Sequence, residues 1–235
     1  MIQRVAIGAF AAGALLLAAG FVVAAGRSDG GEQADDASPT PPTATATATA
    51  TPSPTKTPEP PTPTPTPFAG NVARLQLEAF GVDSTVEMVG IDATNTMETP
   101  KDPHNTGWYY EPETPDRWDR PGWGGNAVFS AHVDYWPDIV GPFNRLAETK
   151  VGDRIHIVME DGTRYIYEAI SYVQYDVDTI PTGDIINPPD KPAEVEWITL
   201  ITCGGTFVRG PQGWGEYLHR DVVVAQLMET IRPGG

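Results

Sequence analysis

Trp197-Ile198-Thr199-Leu200-Ile201-Thr202-Cys203-Gly204-Gly205 is the stretch on which the reading of this chain turns. Trp197 to Ile201 are apolar or β-branched and uninterrupted by a breaker, the pattern of a buried strand. The strand runs into Cys203, the single cysteine of the chain, and two glycines follow at once. A strand of this kind holds a thiol rigidly at its exit. The glycines put no side chain in the way of a ligand and let the backbone turn away. A cysteine at such a place is either a small buried apolar residue or a working thiol, and the rest of the chain has to decide between them.

Compartment bears on that choice. Val5 to Ala25 is a run of 21 residues without a charge. As a helix it reaches roughly 30 Å, enough to cross a bilayer core. Arg4 precedes it, and Arg27 follows with Asp29, Glu32, Asp35 and Asp36 close behind. The positive-inside rule favours an N-terminus inside and a C-terminus outside. Residues 1–26 are therefore expected to be a membrane anchor. The rival is a cleaved signal peptide, with Val23-Ala24-Ala25 as its cleavage site. Both readings send the remainder out of the cytoplasm, where cysteines usually pair. A single cysteine has no internal partner, so it is inert, intermolecular or reactive.

Residues 27–67 read as a linker, and 38–67 are almost wholly Pro, Thr, Ala and Ser, as in Pro61-Thr62-Pro63-Thr64-Pro65. This composition builds no core. Its proline half is expected in extended polyproline II at about 3.1 Å per residue, a stalk several nanometres long.

The remaining 168 residues, 68–235, suit one domain with a sizeable core. They carry 12 basic and 26 acidic side chains, a net charge of −14. Such a surface repels polyphosphate and argues against nucleic acid as a partner. Strand signals dominate: Arg74 to Leu77, Thr85 to Val89, Asn126 to Ser130, Trp197 to Thr202 and Arg220 to Leu227. Asp153 to Glu160 and Thr163 to Ile170 flank Asp161-Gly162 and read as a hairpin with a primed turn. Phe143 to Glu148 suggests a turn or two of helix, and 98–125, 176–195 and 204–217 read as long loops. The fold class is all-β, a closed or nearly closed barrel.

A thiol needs a base or a cation nearby to react as thiolate near neutral pH. The chain has four histidines. His104 falls in a loop. His156 alternates within a hairpin strand and reads as a surface position, and His219 precedes the last strand. His132 follows the apolar run Ala127-Val128-Phe129 with two residues between, at another strand exit, with Asp134 just after it. It is a structural residue or a catalytic one, and a metal site of His132 with Asp134 lacks a second ligand cluster. If the last strand pairs antiparallel with the Cys203 strand, Arg220 comes beside the thiol. Its guanidinium would lower the thiol pKa and hold an oxyanion; the plainer alternative is an ion pair at a strand end.

Three stretches together resemble the sortase family. The first is Gly107-Trp108-Tyr109-Tyr110 with Gly125-Asn126-Ala127-Val128-Phe129-Ser130-Ala131-His132-Val133-Asp134. The second is Gly141-Pro142-Phe143-Asn144-Arg145-Leu146 with Val151-Gly152-Asp153-Arg154. The third is Thr199-Leu200-Ile201-Thr202-Cys203 with Arg220-Asp221-Val222-Val223-Val224-Ala225. In order and spacing they span nearly all of residues 72–227, and Cys-Gly-Gly looks most like the class E and class F branches. Ala131 stands where family members usually carry glycine, and Arg209 is a second arginine between Cys203 and Arg220.

The resemblance implies an eight-stranded β-barrel, an anchor-and-stalk layout, and a site of Cys203, His132 and Arg220 as nucleophile, acid–base and arginine. It implies a cysteine transpeptidase that cleaves a C-terminal sorting signal like Leu-Pro-x-Thr-Gly in an exported protein. The product then passes to an amine acceptor such as a peptidoglycan cross-bridge or a pilin lysine. No cofactor is required; some relatives bind calcium, which the acidic loops here permit without indicating it. Two other readings are an L,D-transpeptidase of peptidoglycan peptides, whose arginine position is taken here by Gly205, and a stalked non-catalytic β-barrel adhesin with Cys203 buried.

Overall fold

The computed structural model describes residues 66–114, 117–210 and 215–234. The expected anchor and nearly all of the expected linker lie outside these residues. Among the described residues no helix is long and apolar enough to cross a membrane.

Alternation of apolar and polar side chains builds the strands. In β7 (Arg154–Met159), Ile155, Ile157 and Met159 turn inward, and in β8 (Arg164–Asp176) Tyr165, Tyr167 and Ala169 do the same. Ile198 and Leu200 of β9 (Trp197–Arg209) and Val223 and Ala225 of β10 (Gly215–Ile231) complete that face without exposure to solvent. Each Ile, Leu, Val or Met among them contributes about 1.5–3 kcal/mol on burial. The other strands are β1 (Val72–Leu77), β2 (Val82–Val89), β3 (Thr106–Tyr109), β4 (Asn126–Ala131), β5 (Asp134–Tyr135) and β6 (Ile139–Val140). Eight strands close a barrel in the order β1-β2-β3-β4-β9-β10-β8-β7, while β5 and β6 form a separate hairpin. The all-β barrel expected from the sequence is thus the observed fold.

The connection of β7 to β8 differs in detail from the primed turn. Glu160-Asp161-Gly162 forms a three-residue loop closed by Met159 N–H donating to the Thr163 carbonyl at 2.8 Å. Gly162 alone takes a positive φ, +86°, as a type I turn ending in a glycine bulge requires.

Three of the expected loops hold regular structure. Segment 98–125 contains β3, and 176–195 contains a short helix, α1 (Thr182–Ile186). Segment 204–217 is mostly strand: β9 continues to Arg209 and β10 starts at Gly215, so the last hairpin projects past the barrel. The helical turn expected over Phe143 to Glu148 narrows to a 3-10 turn at Leu146–Glu148.

The amino-terminal segment enters beside the β7–β8 loop. Asn71 O accepts the Glu160 N–H at 3.0 Å. The Arg120 guanidinium lies 4.6 Å from the Tyr110 ring centroid and donates to the carbonyls of Ala69 and Gly70. β10 runs from Arg220 at one pole of the barrel to Ile231, paired with Arg164, at this pole. The 12 residues from Arg220 to Ile231 make roughly 35 Å of strand.

Candidate active site

β9 lies between β4 and β10. β4 runs parallel to it, with Asn126 opposite Trp197 and Ser130 opposite Ile201. β10 runs antiparallel, with Arg220 opposite Cys203. The register of β4 carried two residues past Ser130 brings His132 alongside Cys203. The three residues predicted from the sequence thus fall at one level of three neighbouring segments, with Cys203 in the middle. Direct cross-strand partners share a face, so Arg220 and Cys203 project together.

The alternation of β9 sets what surrounds the thiol. Leu200 and Ile198 point into the barrel, while Cys203 shares its face with Ile201 and Thr199. α1 covers the far part of that face. Asn126 Nδ2 donates to the Ile185 and Ile186 carbonyls at the end of α1, at 3.1 and 2.9 Å, and Asn126 Oδ1 accepts from Thr199 Oγ1 at 2.9 Å. The Cys203 level stays half-exposed.

His132 is fixed through its backbone. Thr202 Oγ1 donates to the Ala131 carbonyl at 2.7 Å, locking the end of β4 to β9 one residue before His132 and Cys203. The His132 carbonyl accepts the Phe143 N–H at 3.1 Å, and Phe143 is fully buried. Gly141 passes so close that an added Cβ would sit 2.0 Å from His132 O. The imidazole packs edge-on to Tyr135, centroids 5.2 Å apart.

Arg220 is held by backbone carbonyls: its Nη1 donates to Tyr217 O at 3.1 Å and to His219 O at 2.8 Å. Its charge draws the Cys203 thiol toward ionisation. Burial opposes this and outweighs it, with the nearby carboxylates of Asp134 and Asp221 adding to the upward push. The thiol therefore sits above its ordinary value, and the lowering expected from Arg220 is only part of the balance. Tyr217 donates from Oη to Asp134 Oδ2 at 2.6 Å; burial and that carboxylate push its phenol up to about 12.

Asp221 lies on the opposite face of β10 from Arg220 and is buried. Its Oδ1 accepts from Tyr172 Oη at 2.9 Å and Gln174 Nε2 at 2.8 Å. Its carboxylate occupies the space over Gly204, where an added Cβ would meet Oδ2 at 2.0 Å. The first glycine after the cysteine thus makes room for a buried carboxylate rather than for a ligand. Gly205 has a φ of +67°.

The other histidines lie elsewhere. His104 pairs with Asp102 at 3.0 Å in the exposed segment before β3. His156 is not a surface position: its side chain is 15% exposed, with Nε2 3.2 Å from Glu78 Oε2. His219 neighbours Arg220 but faces the opposite side by strand alternation, with Nδ1 against Gly205. Arg209 is the last residue of β9, paired with Gly215, and not part of a loop. Among the described residues no cluster of three His, Cys, Asp or Glu side chains is arranged to hold a metal ion. Sequence reasoning passed over Thr202, Gly141, Tyr217 and Asp221 as site-builders. A hydroxyl beside a functional residue was the available signal for Thr202; the other three depend on contacts between distant segments.

A family model, Sortase domain, matches residues 75–228, from β1 into β10. The chain belongs to the sortase family. Solved structures similar to this sortase include the SrtA sortase from Actinomyces oris. That similarity has 18% identity over 74% of this chain and 88% of that one, with a TM-score of 0.48. Sortase A from Corynebacterium diphtheriae, as a lid mutant, shows 20% identity over 69% and 72% of the two chains, with a TM-score of 0.49. Sortase C from Streptococcus pneumoniae shows 14% identity over 71% and 74%, with a TM-score of 0.49. No curated protein matches the chain.

Proposed function

We propose that this sortase is a cysteine transpeptidase with Cys203 as nucleophile, His132 as general acid and base, and Arg220 as the stabiliser of negative charge on the substrate carbonyl. The observation that supports this is the register of three adjacent strands: Arg220 of β10 stands opposite Cys203 of β9, and β4, parallel to β9 on its other side, ends one residue before His132.

The substrate is an exported protein with a C-terminal signal like Leu-Pro-x-Thr-Gly. Cys203 gives its thiol proton to His132 as Sγ attacks the threonine carbonyl carbon, and the new C–S bond makes a tetrahedral oxyanion beside the Arg220 guanidinium. The Thr–Gly C–N bond breaks as His132 gives its proton to the leaving amine. The thioester then meets an incoming amine, His132 takes a proton from it, and the new C–N bond displaces the Cys203 sulfur. A peptidoglycan cross-bridge or a pilin lysine fits the acceptor. The reaction runs without a cofactor, and with the N-terminal segment as a single-pass anchor it takes place at the outer face of the cell membrane.

Incubating the full-length protein with a library of signal peptides and weighing it intact tests this. A mass gain equal to the acyl part of one peptide, lost in Cys203→Ala, is the expected result. A Cys203→Ala protein that still cleaves the peptide removes the nucleophile assignment.

A further inference from the structure

We propose that Tyr217 is a positioning residue that ties the loop carrying His132 to the strand carrying Arg220. This rests on the reading that both residues serve Cys203. Tyr217 acts at two atoms. Its backbone carbonyl accepts Arg220 Nη1 at 3.1 Å. Its hydroxyl donates to Asp134 Oδ2 at 2.6 Å, and Asp134 is two residues beyond His132 at the start of the β5–β6 hairpin.

The surroundings suit a brace. β5 and β6 have two residues each, and Tyr135, Trp136 and Val140 of that hairpin are exposed. Little burial holds such a hairpin in place. Its base is closed by Gly141 N–H to the Val133 carbonyl at 2.9 Å. The Tyr217 hydroxyl adds a charge-assisted bond from hairpin to β10, a class stronger than a neutral pair. The Tyr217 ring is itself steadied by Phe207 across the projecting β9–β10 hairpin, centroids 5.0 Å apart.

The brace also governs a charge. Asp134 is near enough to Cys203 to disfavour its thiolate. With Tyr217 donating to it, Asp134 stays on the hydroxyl. Arg220 keeps Nη1 on backbone carbonyls, and among the described residues its other N–H groups are left for a ligand.

Tyr217→Phe removes the hydroxyl and leaves the carbonyl and the ring. In the full-length protein, signal-peptide turnover is expected to fall by about tenfold to a hundredfold in kcat, as misplaced reacting groups do, with KM within about twofold. Asp134→Ala is expected to match it, and the double variant to lose no more than either single one. Asp134→Asn keeps an acceptor oxygen and should recover turnover to within about threefold of wild type. Hydrogen exchange over residues 132–136, which needs no substrate, should quicken in Tyr217→Phe. Turnover of Tyr217→Phe within about twofold of wild type, or losses that multiply in the double variant, overturns the proposal. If wild type itself fails to turn over, the transpeptidase reading fails instead. Exchange then decides the brace alone, unchanged rates refuting it and faster rates supporting it.

Discussion

Arg220 stands directly across from Cys203 on the neighbouring antiparallel strand, so the backbone ladder that closes the barrel also sets the distance between cation and thiol. An adjacent cation usually marks a thiolate. Here burial outweighs it, and the thiol pKa is raised.

The sign of that balance predicts a pH profile. A raised pKa means that at neutral pH a smaller fraction of Cys203 is thiolate than in a free cysteine. Iodoacetamide alkylation of the native protein should therefore keep accelerating above pH 9, past the plateau of a cysteine peptide. Arg220→Met should move the profile further up, because the one lowering influence is gone while burial, Asp134 and Asp221 remain. A profile that saturates below pH 8 contradicts both statements.

Arg220 and Arg209 make a controlled comparison. Arg220 is part-buried and bound to two backbone carbonyls, whereas Arg209 lies at the exposed tip of β9. Lysine keeps the charge and loses the planar fork of donors, and loss of an oxyanion donor costs about 10² to 10³ in rate. Arg220→Lys should lower turnover at least about tenfold with an unchanged thermal midpoint. Arg209→Lys should stay within about threefold. Parallel assays on one signal peptide decide it, and the reverse ranking would put the wrong arginine in the site.

His132 offers two tests of different kinds. His132→Ala should cost about 10² to 10⁴ in kcat, the usual range of general acid–base help. Gly141→Ala leaves the imidazole in place but drives a Cβ to 2.0 Å from His132 O, which is backbone. It should lower both turnover and stability, the latter by about 1–3 kcal/mol as overpacking does. Chemical denaturation and steady-state kinetics on the same preparation read the two effects. A fully active Gly141→Ala means the His132 loop adjusts freely.

Gly204→Ala should be worse tolerated than its exposed look in the sequence suggests. The new Cβ meets Asp221 Oδ2 at 2.0 Å, and that carboxylate holds Tyr172 and Gln174. Displacing it breaks both hydrogen bonds of a buried carboxylate, at roughly 1–3 kcal/mol. A thermal midpoint equal to wild type would show that Asp221 moves aside without loss.

What the sequence carried about this fold was its buried part. Ile155, Ile157 and Met159 alternate with the less buried Arg154, His156 and Val158 because one side of β7 is core, and the strand was readable. Trp197 to Thr202 was readable because its apolar run is unbroken. β3 was missed because it has four residues, all buried on both faces, inside a segment rich in Pro and Gly. The ends of β9 and β10 were missed for the opposite reason. From Gly205 to Arg209 every residue is exposed, so no alternation of burial records a strand that its pairing with β10 maintains. The site followed the same rule. Arg220 beside Cys203 came from guessing one pairing correctly, whereas the Tyr217–Asp134 bond joins residues 83 apart that no local pattern connects.

The segment held by Arg120 at Ala69 and Gly70 enters at the pole far from Cys203. That attachment and the thiol are thus at opposite ends of the barrel. A side chain exchanged at Ala69 or Gly70 has the whole length of the strands between it and the reacting groups.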